Sequence, residues 1–454
     1  MRRLLTSTAA VVLLMGVVAA CGDDDDDDTG AASAQSTGGG DAAGDGGDIE
    51  GSINVIHQRT DINEEIFEGV YKPAFEAAYP GVEVNFEAIT DYEGEIPVRM
   101  NGGDYGDVLL IPNSVAPEQL PDFFEPLGTI DELGSDYRFV TEEAFGGEVY
   151  GLPITGNANG VLYNRAVFEE AGVETPLESP EAFLEALRAI DENTDAIPLY
   201  TNYAAGWPLT QWETNRGSIS ADEDYLNDLA FTDAPFAEGT DHHVIYQLMY
   251  DIAAAGLIEE DPTTTDWESS KALLGNGEIA SMFLGSWAIV QFRDAADDPD
   301  DVGYMPFPST TEGTYFSTVG GDYKFGIASN SDNKEAARAW IDWFVDESNY
   351  AVDQGGIAPR YDDPFPDELA EFEEIGVELL EQAPPPPDQA GLVDAIDQAG
   401  EVGLPDPPFK QEIIDAARGE SGRTLDEIFA ELNEKWAEGK VDAFEDFGLP
   451  LDGE

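Results

Sequence analysis

The sequence is poor in the residues that most often perform catalysis or hold metals, with one cysteine and three histidines in 454 residues. The single cysteine, Cys21, has no partner for a disulfide within the chain. His242 and His243 are neighbours, and neighbouring side chains of a regular helix or strand cannot both face one metal ion. The sequence contains no His-Glu-x-x-His pattern and no Gly-x-Ser-x-Gly nucleophile motif. We therefore expect no cofactor, no metal site and no enzyme built on cysteine, serine or histidine.

Basic residues are also scarce, because Lys and Arg together number 20 against 95 Asp and Glu, for a net charge of −75. Ten of the acidic residues and two of the basic ones precede residue 51, so the remainder holds 85 acidic and 18 basic residues. Such a surface repels nucleic acids and anionic lipids, and we expect neither as a partner. Salt screens the self-repulsion, so the charge indicates a salt-adapted protein. The alternative is the milder acidity of proteins from a soil or marine organism.

The first 20 residues have the features of a secretory signal peptide. Arg2 and Arg3 precede an apolar stretch, residues 4–20, that is too short and too abruptly ended for a membrane span. The segment VAAC at 18–21 resembles the lipobox of bacterial lipoproteins. That resemblance implies cleavage before Cys21, a lipid on its sulfur and acylation of its new amino group, which together anchor a protein stably. The alternative is an ordinary secretory cleavage site followed by an incidental free thiol.

Residues 21–50 contain almost nothing that a core could bury, since Gly, Ala, Ser, Thr and Asp dominate them. We expect them to form a disordered, acidic, lipid-anchored tether. The six consecutive aspartates at 23–28 lack the turn geometry of a calcium loop, so we interpret them as a solvated spacer. The folded part then comprises residues 51–454, and a mature chain of 434 residues is ample for two domains.

Hydrophobic patterning from residue 51 onward predicts an α/β fold. Residues 53–57, 82–86 and 108–111 are apolar or alternate in polarity, as is typical of strands. Residues 61–79 have apolar side chains at four-residue spacing, which predicts a helix that kinks or restarts at Pro73. The order strand, helix, strand, helix, strand indicates a lobe with largely parallel pairing.

Three later helices are predicted from their start signals. The pair Ser179-Pro180 is an N-cap followed by proline at the first helical position. Asp332 with Glu335 has the capping-box pattern, and so has Thr424 with Glu427. Each pattern precedes an amphipathic stretch, so we expect a helix to begin at each of the three places.

Four segments of the folded part carry a resemblance to a known family. They are 71–84, YKPAFEAAYPGVEV; 150–176, YGLPITGNANGVLYNRAVFEEAGVETP; 275–292, GNGEIASMFLGSWAIVQF; and 302–347, which opens VGYMPFPSTTEG and ends GIASNSDNKEAARAWIDWFVDE. They resemble the extracellular solute-binding proteins of bacterial ABC importers, in the large sugar-binding family related to maltose-binding protein. The second segment is the most specific, and the resemblance covers nearly the whole chain from residue 51.

The resemblance implies the type II periplasmic-binding-protein fold. In that fold two α/β lobes are joined by a multi-segment hinge, and the ligand lies in the cleft between them. Because the chain crosses the hinge more than once, both lobes are discontinuous in sequence. We expect the first lobe to contain residues 51–155 and 303–330, and the second lobe residues 156–302 and 331–454. Ligand binding would then stabilise a closed form.

A sugar site needs aromatic side chains for the ring faces and polar groups for the hydroxyls. Trp287 follows a Gly-Ser pair at a strand-to-helix turn, a position that the family commonly uses for ligand contact. Tyr203, Trp207 and Trp212 lie in TNYAAGWPLTQW, a segment interrupted by glycine and proline. Aromatic residues on irregular backbone indicate a binding loop. We predict that Trp287 and one or two of the other three contact the ligand; the alternative for each is packing in a lobe core.

Six polar residues are further candidates for ligand contact. Three follow the first predicted strand and one follows the third, where ligand sites of α/β folds form. The resemblance places the other two in the cleft, one in a Gly-Gly region where many relatives carry an aromatic residue and one in the ending GGIAPR. The alternative for each is surface solvation or a structural salt bridge. The six are Gln58, Arg59, Asp61, Asn113, Asp322 and Arg360.

We interpret the chain as the substrate-binding component of an ABC importer, lipid-anchored on the outer face of the cytoplasmic membrane. We expect it to be a monomer that captures a sugar or oligosaccharide by hinge closure and delivers it to the membrane permease. One alternative is the same fold binding a polyamine, a peptide or another small solute. A second alternative is a secreted glycoside hydrolase, since 95 acidic residues allow a carboxylate pair to arise by chance.

Overall fold

The computed structural model describes residues 49–386 and 388–451. These described residues form one compact unit. The predicted signal peptide, Cys21 and all of the predicted tether before residue 49 lie outside the described residues. Among the helices that are described, none has the length and the apolar character needed to cross a membrane.

The described strands form two large sheets and a small one. The six-stranded sheet has the order β2-β1-β3-β13-β4 with β8 paired to β13, and the five-stranded sheet has the order β10-β9-β12-β14 with β11 paired to β9. Strands β5, β7 and β6 form the small sheet. In chain order the strands are β1 Gly51–His57, β2 Val82–Ala88, β3 Val108–Leu110, β4 Phe124–Glu125, β5 Gly128–Thr129, β6 Ala144–Phe145, β7 Glu148–Val149, β8 Leu152–Pro153, β9 Gly156–Asn164, β10 Ser281–Gly285, β11 Val302–Met305, β12 Phe316–Gly321, β13 Lys324–Ala328 and β14 Glu378–Glu381.

Helices cover both large sheets. A π-helix, Asn63–Tyr71, runs directly into the first α-helix, which carries Pro73 in its first turn; this confirms the predicted helix with a restart at that proline. Short 3₁₀ helices span Pro117–Gln119, Glu213–Asn215, Pro262–Thr264, Pro299–Asp301 and Asp367–Leu369. The α-helices are α1 Lys72–Ala78, α2 Tyr92–Gly102, α3 Leu120–Phe123, α4 Ile130–Leu133, α5 Arg165–Glu170, α6 Pro180–Asn193, α7 Trp207–Thr210, α8 Tyr225–Leu229, α9 Asp241–Ala254, α10 Trp267–Gly275, α11 Ala288–Ala295, α12 Lys334–Glu347, α13 Tyr350–Asp353, α14 Ala370–Ile375, α15 Leu392–Gly400, α16 Pro408–Ala417 and α17 Leu425–Phe447.

The six-stranded sheet forms the centre of the first lobe. Strand β1 pairs in parallel with β2 and with β3, as the order of the predicted elements indicated. Helix α12 lies against this sheet, and its Trp340 packs edge-to-face on Phe75 of α1 with ring centroids 5.1 Å apart. Both rings belong to one buried core together with Val55 and Leu109 of the central strands. The strands are covered because their apolar runs must be buried on both faces.

The five-stranded sheet forms the centre of the second lobe and is also buried on both faces. Along β9, Val161 and Tyr163 point into one hydrophobic core, while Ala158 and Leu162 point into another. Successive side chains of a strand face opposite sides, so the two cores lie on opposite faces of the sheet. Helices α9, α16 and α17 are large contributors to the first of these cores. Together the two sheets and their helices confirm the predicted two-lobed α/β fold.

The chain passes between the two large sheets three times. It leaves the first lobe between β8 and β9, returns between β12 and β13, and leaves again after α13. The three crossing segments bond to one another, since Gly156 and Ile357 exchange backbone bonds at 2.6 and 2.8 Å. The backbone N–H of Asp322 also donates to the Thr155 carbonyl, at 2.8 Å. We refer to these three segments as the crossings.

The strand pairing differs from the predicted lobe boundaries in two places. Strands β11 and β12 pair with β9, so residues 303–321, which were predicted in the first lobe, belong to the second. Helices α12 and α13 pack in the core of the first lobe, so residues 334–353 belong there and not to the second. An apolar helix face or strand in the sequence shows that a residue is buried, but it does not show which sheet it joins.

All three predicted helices are present, and two of the three predicted caps are confirmed. The Ser179 side chain accepts the N–H of the third helical residue at 3.2 Å, and Thr424 with Glu427 forms the complete capping box. Helix α12 instead begins after Asn333, with no side-chain cap from the described residues. The predicted cap by Asp332 is therefore wrong, and the Ser331 hydroxyl instead accepts the N–H of Asn333, just before the helix, at 3.0 Å.

Candidate functional site

A cavity of about 480 Å³ lies between the two lobes, against the crossings. The first lobe supplies the residues that follow β1 and one side of α13, and the second lobe supplies the start of α11. The volume is within the range of sites that enclose small ligands. The cavity is lined by Gln58, Arg59, Asp61, Ile62, Thr155, Asn157, Trp287, Val290, Gln291, Asp294, Asp322, Tyr323, Tyr350, Asp353, Gln354 and Gly356.

One wall of the cavity is an ion pair held by a buried tyrosine. The Arg59 guanidinium donates to both carboxylate oxygens of Asp61, at 2.9 and 2.8 Å, and to the Tyr350 hydroxyl at 2.9 Å. Burial alone would raise the pKa of Asp61, but the hydrogen bonds and charge of Arg59 outweigh it and lower that pKa. Burial raises the pKa of Tyr350 to about 12. This wall therefore presents a fixed charged pair to whatever enters the cavity.

Two amide oxygens in the cavity wall are buried without a hydrogen bond. Gln58 Oε1 and Asn157 Oδ1 have no partner among the residues that the structure describes. We call these two atoms the cavity oxygens. A buried polar atom left unpaired costs about 1–3 kcal/mol, and native structures almost always pair such atoms. A ligand hydroxyl or a water molecule that reaches these oxygens would donate the missing hydrogen bonds.

The second-lobe wall is one face of the turn and helix that follow β10. Trp287 directly precedes α11, and Gln291 and Asp294 follow it at helical spacing, so the three side chains share a face. The turn is fixed to β9, because the Ser286 hydroxyl accepts the Ala158 N–H at 3.0 Å. This wall offers an indole face beside an amide and a carboxylate, which is the combination that a sugar ring requires.

The crossings close the cavity with a carboxylate and a tyrosine. Asn157 Nδ2 donates to Asp322 at 3.3 Å, and the Tyr323 N–H donates to the same carboxylate at 2.8 Å. The Tyr323 hydroxyl donates to Glu93 at 2.7 Å, and Asn113 Nδ2 donates to the same glutamate at 3.2 Å. Burial raises the pKa of Tyr323. Asn113 is thus connected to the cavity through two side chains and lies beside it.

A cluster of three tryptophans lies at the rim of the cavity. Trp207 and Trp287 have ring centroids 5.8 Å apart, and Trp267 lies 4.7 Å from the first and 5.8 Å from the second. Trp207 is 37 % exposed. We call these three residues the rim cluster. It extends the aromatic surface of the cavity towards solvent.

The structure brings six of the predicted ligand residues to one place. Five of them line the cavity itself, and Trp207 lies at its rim. Their shared position follows from the carboxyl ends of β1 and β10, which meet at the same cleft. Contact of these residues with a ligand stays a prediction. The five lining residues are Gln58, Arg59, Asp61, Trp287 and Asp322.

Three other predicted ligand residues lie away from the cavity, and the structure corrects these predictions. Trp212 is only 2 % exposed and stacks on Phe283 with ring centroids 3.7 Å apart, so it is part of the second-lobe core. The Tyr203 hydroxyl donates to Asp415 of α16 at 3.0 Å. Arg360 forms an ion pair at 3.2 Å with a carboxylate of α12. Each of these three side chains has a structural partner that the sequence spacing did not indicate.

Sequence reasoning missed several lining residues. The sequence could have indicated some of them. Asn157 lies in the segment that most resembles the family, and Gln291 and Asp294 follow Trp287 at helical spacing. The residues of α13 carried no signal, since they reach Arg59 from a position 291 residues later in the chain. The missed residues are Asn157, Gln291, Asp294, Tyr323, Tyr350, Asp353 and Gln354, with Trp267 at the rim.

His57 supports the first-lobe wall from behind. Its ring is buried, stacks on Phe67 at 3.9 Å and accepts the Arg59 backbone N–H on Nδ1 at 3.2 Å. The other ring nitrogen then donates to Asn63 at 3.1 Å. Burial lowers the pKa of His57 to about 4, with Arg59 adding to the shift and Asp61 opposing it. The neutral ring therefore belongs to the folded state.

We expect protonation of His57 to destabilise the protein as the pH falls. The folded pKa of about 4 lies below the unfolded value of 6.5, so the unfolded chain binds the proton more readily between these values. The histidine contribution is full above pH 6.5 and is lost progressively down to pH 4, by about 3 kcal/mol in total. Denaturant unfolding of wild type and His57→Gln at pH 7 and pH 4 checks this.

The His57→Gln variant isolates the histidine term, because the many carboxylates titrate in both proteins. The free energy of unfolding of wild type should fall more than that of the variant between the two pH values. If the free energy of unfolding falls equally in both proteins, the pKa of His57 does not differ between the folded and unfolded states.

A second cavity, of about 320 Å³, lies on the other face of the β12–β13 crossing. Glu142 lines it, and a Cβ atom on Gly321 would meet this glutamate at 3.0 Å. The next residue, Asp322, lines the first cavity, and successive residues of an extended segment face opposite sides. Within the described residues the second cavity has no tryptophan in its lining, so the first cavity is the better candidate for a sugar.

The described residues offer little for metal chemistry. Residues 49–386 and 388–451 contain no group of three or more His, Cys, Asp or Glu side chains placed to hold a metal ion. The geometry of the cavity fits reversible capture of a polar solute, because its walls come from two lobes that the crossings join. A two-lobed α/β chain with this arrangement is a solute-binding protein of the periplasmic type.

Comparison with known families agrees with this class. The chain belongs to the bacterial extracellular solute-binding protein family, whose profile matches residues 60–351. This finding confirms the resemblance seen in the sequence.

Individual relatives are binding proteins for sugars. The chain is 35 % identical to the solved structure of BlMnBP1 from Bifidobacterium animalis subsp. lactis, an ABC transporter binding protein in complex with mannobiose, with a TM-score of 0.81 over 87 % of this chain and 96 % of that one. It is 34 % identical to the manno-oligosaccharide-specific BlMnBP2 of the same organism in complex with mannotriose, with the same TM-score over 88 % and 96 %. It is 29 % identical to the xylose/arabinose-binding protein XacG of Haloferax volcanii, over 60 % of this chain and 59 % of the relative's length.

Proposed function

We propose that this protein is the sugar-binding component of an ABC importer. It captures a short oligosaccharide between its lobes and releases it, unchanged, to the membrane permease. The lobes close on the ligand because both walls of the cavity contact it in the closed form, and this differential contact shifts the open–closed equilibrium.

The observation that carries this proposal is the pair of cavity oxygens, enclosed beside Trp287. Sugars are neutral, donate hydrogen bonds from many hydroxyls and present apolar ring faces. Hydroxyl groups would satisfy Gln58 Oε1 and Asn157 Oδ1, which have no partner among the described residues. The indole of Trp287 would cover a ring face. Charged side chains around Trp287, such as Asp294 and the Arg59–Asp61 pair, would fix the orientation of the sugar ring.

The relatives support a sugar of more than one unit. The structures of the two relatives with about one third identity were solved in complex with mannobiose and with mannotriose. Their TM-scores of 0.81 support the transfer of the ligand class, and manno-oligosaccharides are therefore the first ligands to test. The pentose-binding relative from Haloferax volcanii makes xylose and arabinose the second set.

A cationic solute is a second candidate, and one observation favours it. Asp294, Asp322 and Asp353 line the cavity in addition to the Arg59–Asp61 pair. A polyamine would neutralise these carboxylates and stack on indole rings through cation–π contacts. Amide oxygens accept from ammonium groups as well as from hydroxyls, so the experiment must separate the two classes.

The location that we propose is the outer face of the cytoplasmic membrane. The VAAC segment supports lipid attachment at Cys21, and the acidic residues that follow support a tether between lipid and binding unit. Mass spectrometry of the protein purified from membranes checks this, because acyl chains should be found on a mature chain that begins at Cys21. A chain beginning elsewhere would contradict the anchor and leave the binding proposal intact.

We expect thermal unfolding to identify the ligand. The purified protein is heated in molar salt, which screens its self-repulsion, with mannobiose, mannotriose, xylose, arabinose or a polyamine. A ligand present at 100 times its dissociation constant adds about 2.7 kcal/mol of stability. A rise in the unfolding temperature with one sugar series, and none with polyamines, is the expected result.

The other outcomes separate the alternatives. A rise with polyamines alone would retain the fold and replace the ligand class. If chromatography shows that the sugar disappears with time, the protein hydrolyses it, and a pure binding role is contradicted. A folded protein that responds to no compound would contradict the sugar proposal.

A further inference from the structure

One short segment of the chain is packed into both lobes at once. It comprises residues 136–142, between α4 and β6, and we call it the strap. Tyr137 and Val140 of the strap are buried in the core of the first lobe. Phe139 lies between them in sequence, but its ring is buried in a core of the second lobe. The strap therefore connects the two lobes in addition to the crossings.

Hydrogen bonds attach the strap to two of the crossings. The Arg138 N–H donates to the carbonyl of Pro359, in the third crossing, at 2.7 Å. The Glu142 carboxylate accepts the N–H of Gly321, in the second crossing, at 2.9 Å and forms an ion pair with Lys324 at 2.6 Å. The strap thus bridges the second and third crossings, with Phe139 between its two attachment points.

The Phe139 side chain fills the space against the crossings. A Cβ atom on Gly156 would collide with its ring, and a Cβ atom on Gly321 would meet the Phe139 Cβ at 3.1 Å, so both positions need glycine for this close approach. The next residues, Asn157 and Asp322, line the candidate cavity. Successive residues of extended backbone face opposite sides, so the strap lies behind the crossings, on the side away from the cavity.

Phe139 has a backbone conformation that bulky residues rarely adopt. Its φ is +62°, in the left-handed region. Strain of this kind persists only where the surrounding structure holds it, and it is concentrated at binding sites and at segments that switch. Phe139 is only 5 % exposed, so the enclosure of its ring against the crossings holds the backbone in this form.

We infer that the strap is a stop that limits how far the two lobes open. Opening rotates the lobes about the crossings, so groups that lie behind the crossings must approach one another. Close-packed side chains resist such compression. The Phe139 ring occupies this space, and an ion pair of 3.2 Å between Arg138 and Glu381 joins the strap to β14. The unliganded protein is thereby kept nearer to its closed form, which favours ligand binding.

The test measures the separation of the lobes in the unliganded protein. Val98 of α2 and Val441 of α17 are exposed positions in different lobes. Spin labels are attached through Val98→Cys and Val441→Cys, after Cys21→Ser has removed the single native cysteine. Electron–electron double resonance in molar salt then gives the distribution of label separations. Phe139→Ala should broaden this distribution, and X-ray scattering of the unlabelled proteins should give the variant the larger radius of gyration.

Gly156→Ala tests the same contact from the side of the crossing. The added Cβ atom lies where the Phe139 ring lies, so it should displace the ring and broaden the distribution as well. In the double variant Gly156→Ala, Phe139→Ala the ring is absent and the added methyl group has room. The double variant should therefore be no broader than Phe139→Ala alone, since residues in direct contact show non-additive effects.

Phe123→Ala is the matched control, because Phe123 packs on Tyr105 in the first lobe, with ring centroids 6.3 Å apart. It removes a phenyl ring from the same lobe and should leave the distribution unchanged. Phe139→Leu retains an apolar side chain of similar length and should keep a width close to that of wild type. The unfolding temperature of each variant shows whether the fold is retained. If Phe139→Ala does not fold, Gly156→Ala alone decides.

Affinity gives a second readout once a ligand of the cavity is known. Phe139→Ala should weaken the binding of every such ligand by one common factor, about 2-fold to 30-fold, as is typical of mutations that act on coupling away from the ligand. An unchanged or narrower distribution in the folded variants would overturn the inference, and so would tighter binding. Because the separations are measured without ligand, failure of the sugar proposal would leave this test valid, and failure of the stop would leave the sugar proposal intact.

Discussion

The double variant Gln58→Met, Asn157→Leu should lower the affinity for sugar by about 30-fold to 20,000-fold and leave the unliganded protein at least as stable as wild type. Each substitution removes one cavity oxygen, and each lost hydrogen bond from a ligand hydroxyl is worth about 1–3 kcal/mol. Since 1.4 kcal/mol corresponds to tenfold in affinity, two such bonds give the stated range. This is the largest change in binding that we expect.

The stability of the unliganded variant follows from the same atoms. In the free protein neither oxygen has a partner among the described residues, so the substitutions remove unpaired acceptors and break no bond to them. The bond that is lost is the long one from Asn157 Nδ2 to Asp322, at 3.3 Å. Methionine and leucine have nearly the shapes of the residues they replace, so the cavity wall stays filled.

Asn159→Leu is the matched control for this variant. Asn159 lies two residues further along β9, and its Nδ2 donates to the carbonyl and to the hydroxyl of Thr318, both at 3.1 Å. Its removal should lower the free energy of unfolding by about 1–3 kcal/mol and retain the affinity. Denaturant unfolding and isothermal titration on the same preparations measure both quantities. A double variant that loses stability and keeps its affinity would show that the cavity oxygens are structural.

Sequence order alone predicted much of the fold and part of the site. The carboxyl ends of parallel strands meet at one edge of a sheet, so the polar residues after β1 could be assigned to the cleft from the strand pattern. Trp287 was assigned through the resemblance, because it lies at a strand-to-helix turn that the family commonly uses for ligand contact. These residues do line one cavity, with Arg59 and Asp61 forming one of its walls.

The remaining lining residues depend on contacts that local sequence does not encode. Tyr350 meets Arg59 only because α12 and α13 return to the first lobe, between two stretches of chain that build the second lobe. Trp207 and Trp212 lie five residues apart in the same irregular segment. The second faces β10 and stacks on Phe283, while the first faces the rim. Only the packing of the segment on the sheet separates a core tryptophan from a candidate ligand residue.

The largest loss of stability should come from Glu213→Ala in the second lobe, at about 3–5 kcal/mol. Glu213 is buried, and its carboxylate accepts bonds from Arg216 at 2.5 Å, from His242 at 2.7 Å and from the Tyr246 hydroxyl. Burial by itself would raise the pKa of Glu213, but His242 and Arg216 outweigh it and lower that pKa. Alanine would leave these partners buried without the carboxylate.

Two further variants make this prediction specific. Glu371→Ala removes the partner of Arg165 in an ion pair that is about one third exposed, and it should cost at most about 1 kcal/mol. Glu213→Leu combined with Arg216→Met removes the buried charges together and should recover part of the loss, because an apolar pair avoids an uncompensated charge. Denaturant unfolding in molar salt at pH 7 gives all of these free energies.

Glu213→Ala should be less stable than wild type but, as long as it remains folded, should bind sugar with unchanged affinity. Neither Glu213 nor its three partners line the candidate cavity. Because the folded pKa of Glu213 is lowered from 4.5, its contribution to stability is present above about pH 4.5 and is lost as the pH falls. The variant should therefore differ least from wild type in acid.

A loss of affinity equal to that of the double variant, measured by isothermal titration in the folded state, would show that this buried network shapes the sugar site. Retained affinity would place stability and recognition in separate parts of the second lobe, although the segment of Glu213 touches β12, where the Thr318 hydroxyl donates to the Thr214 carbonyl at 2.5 Å.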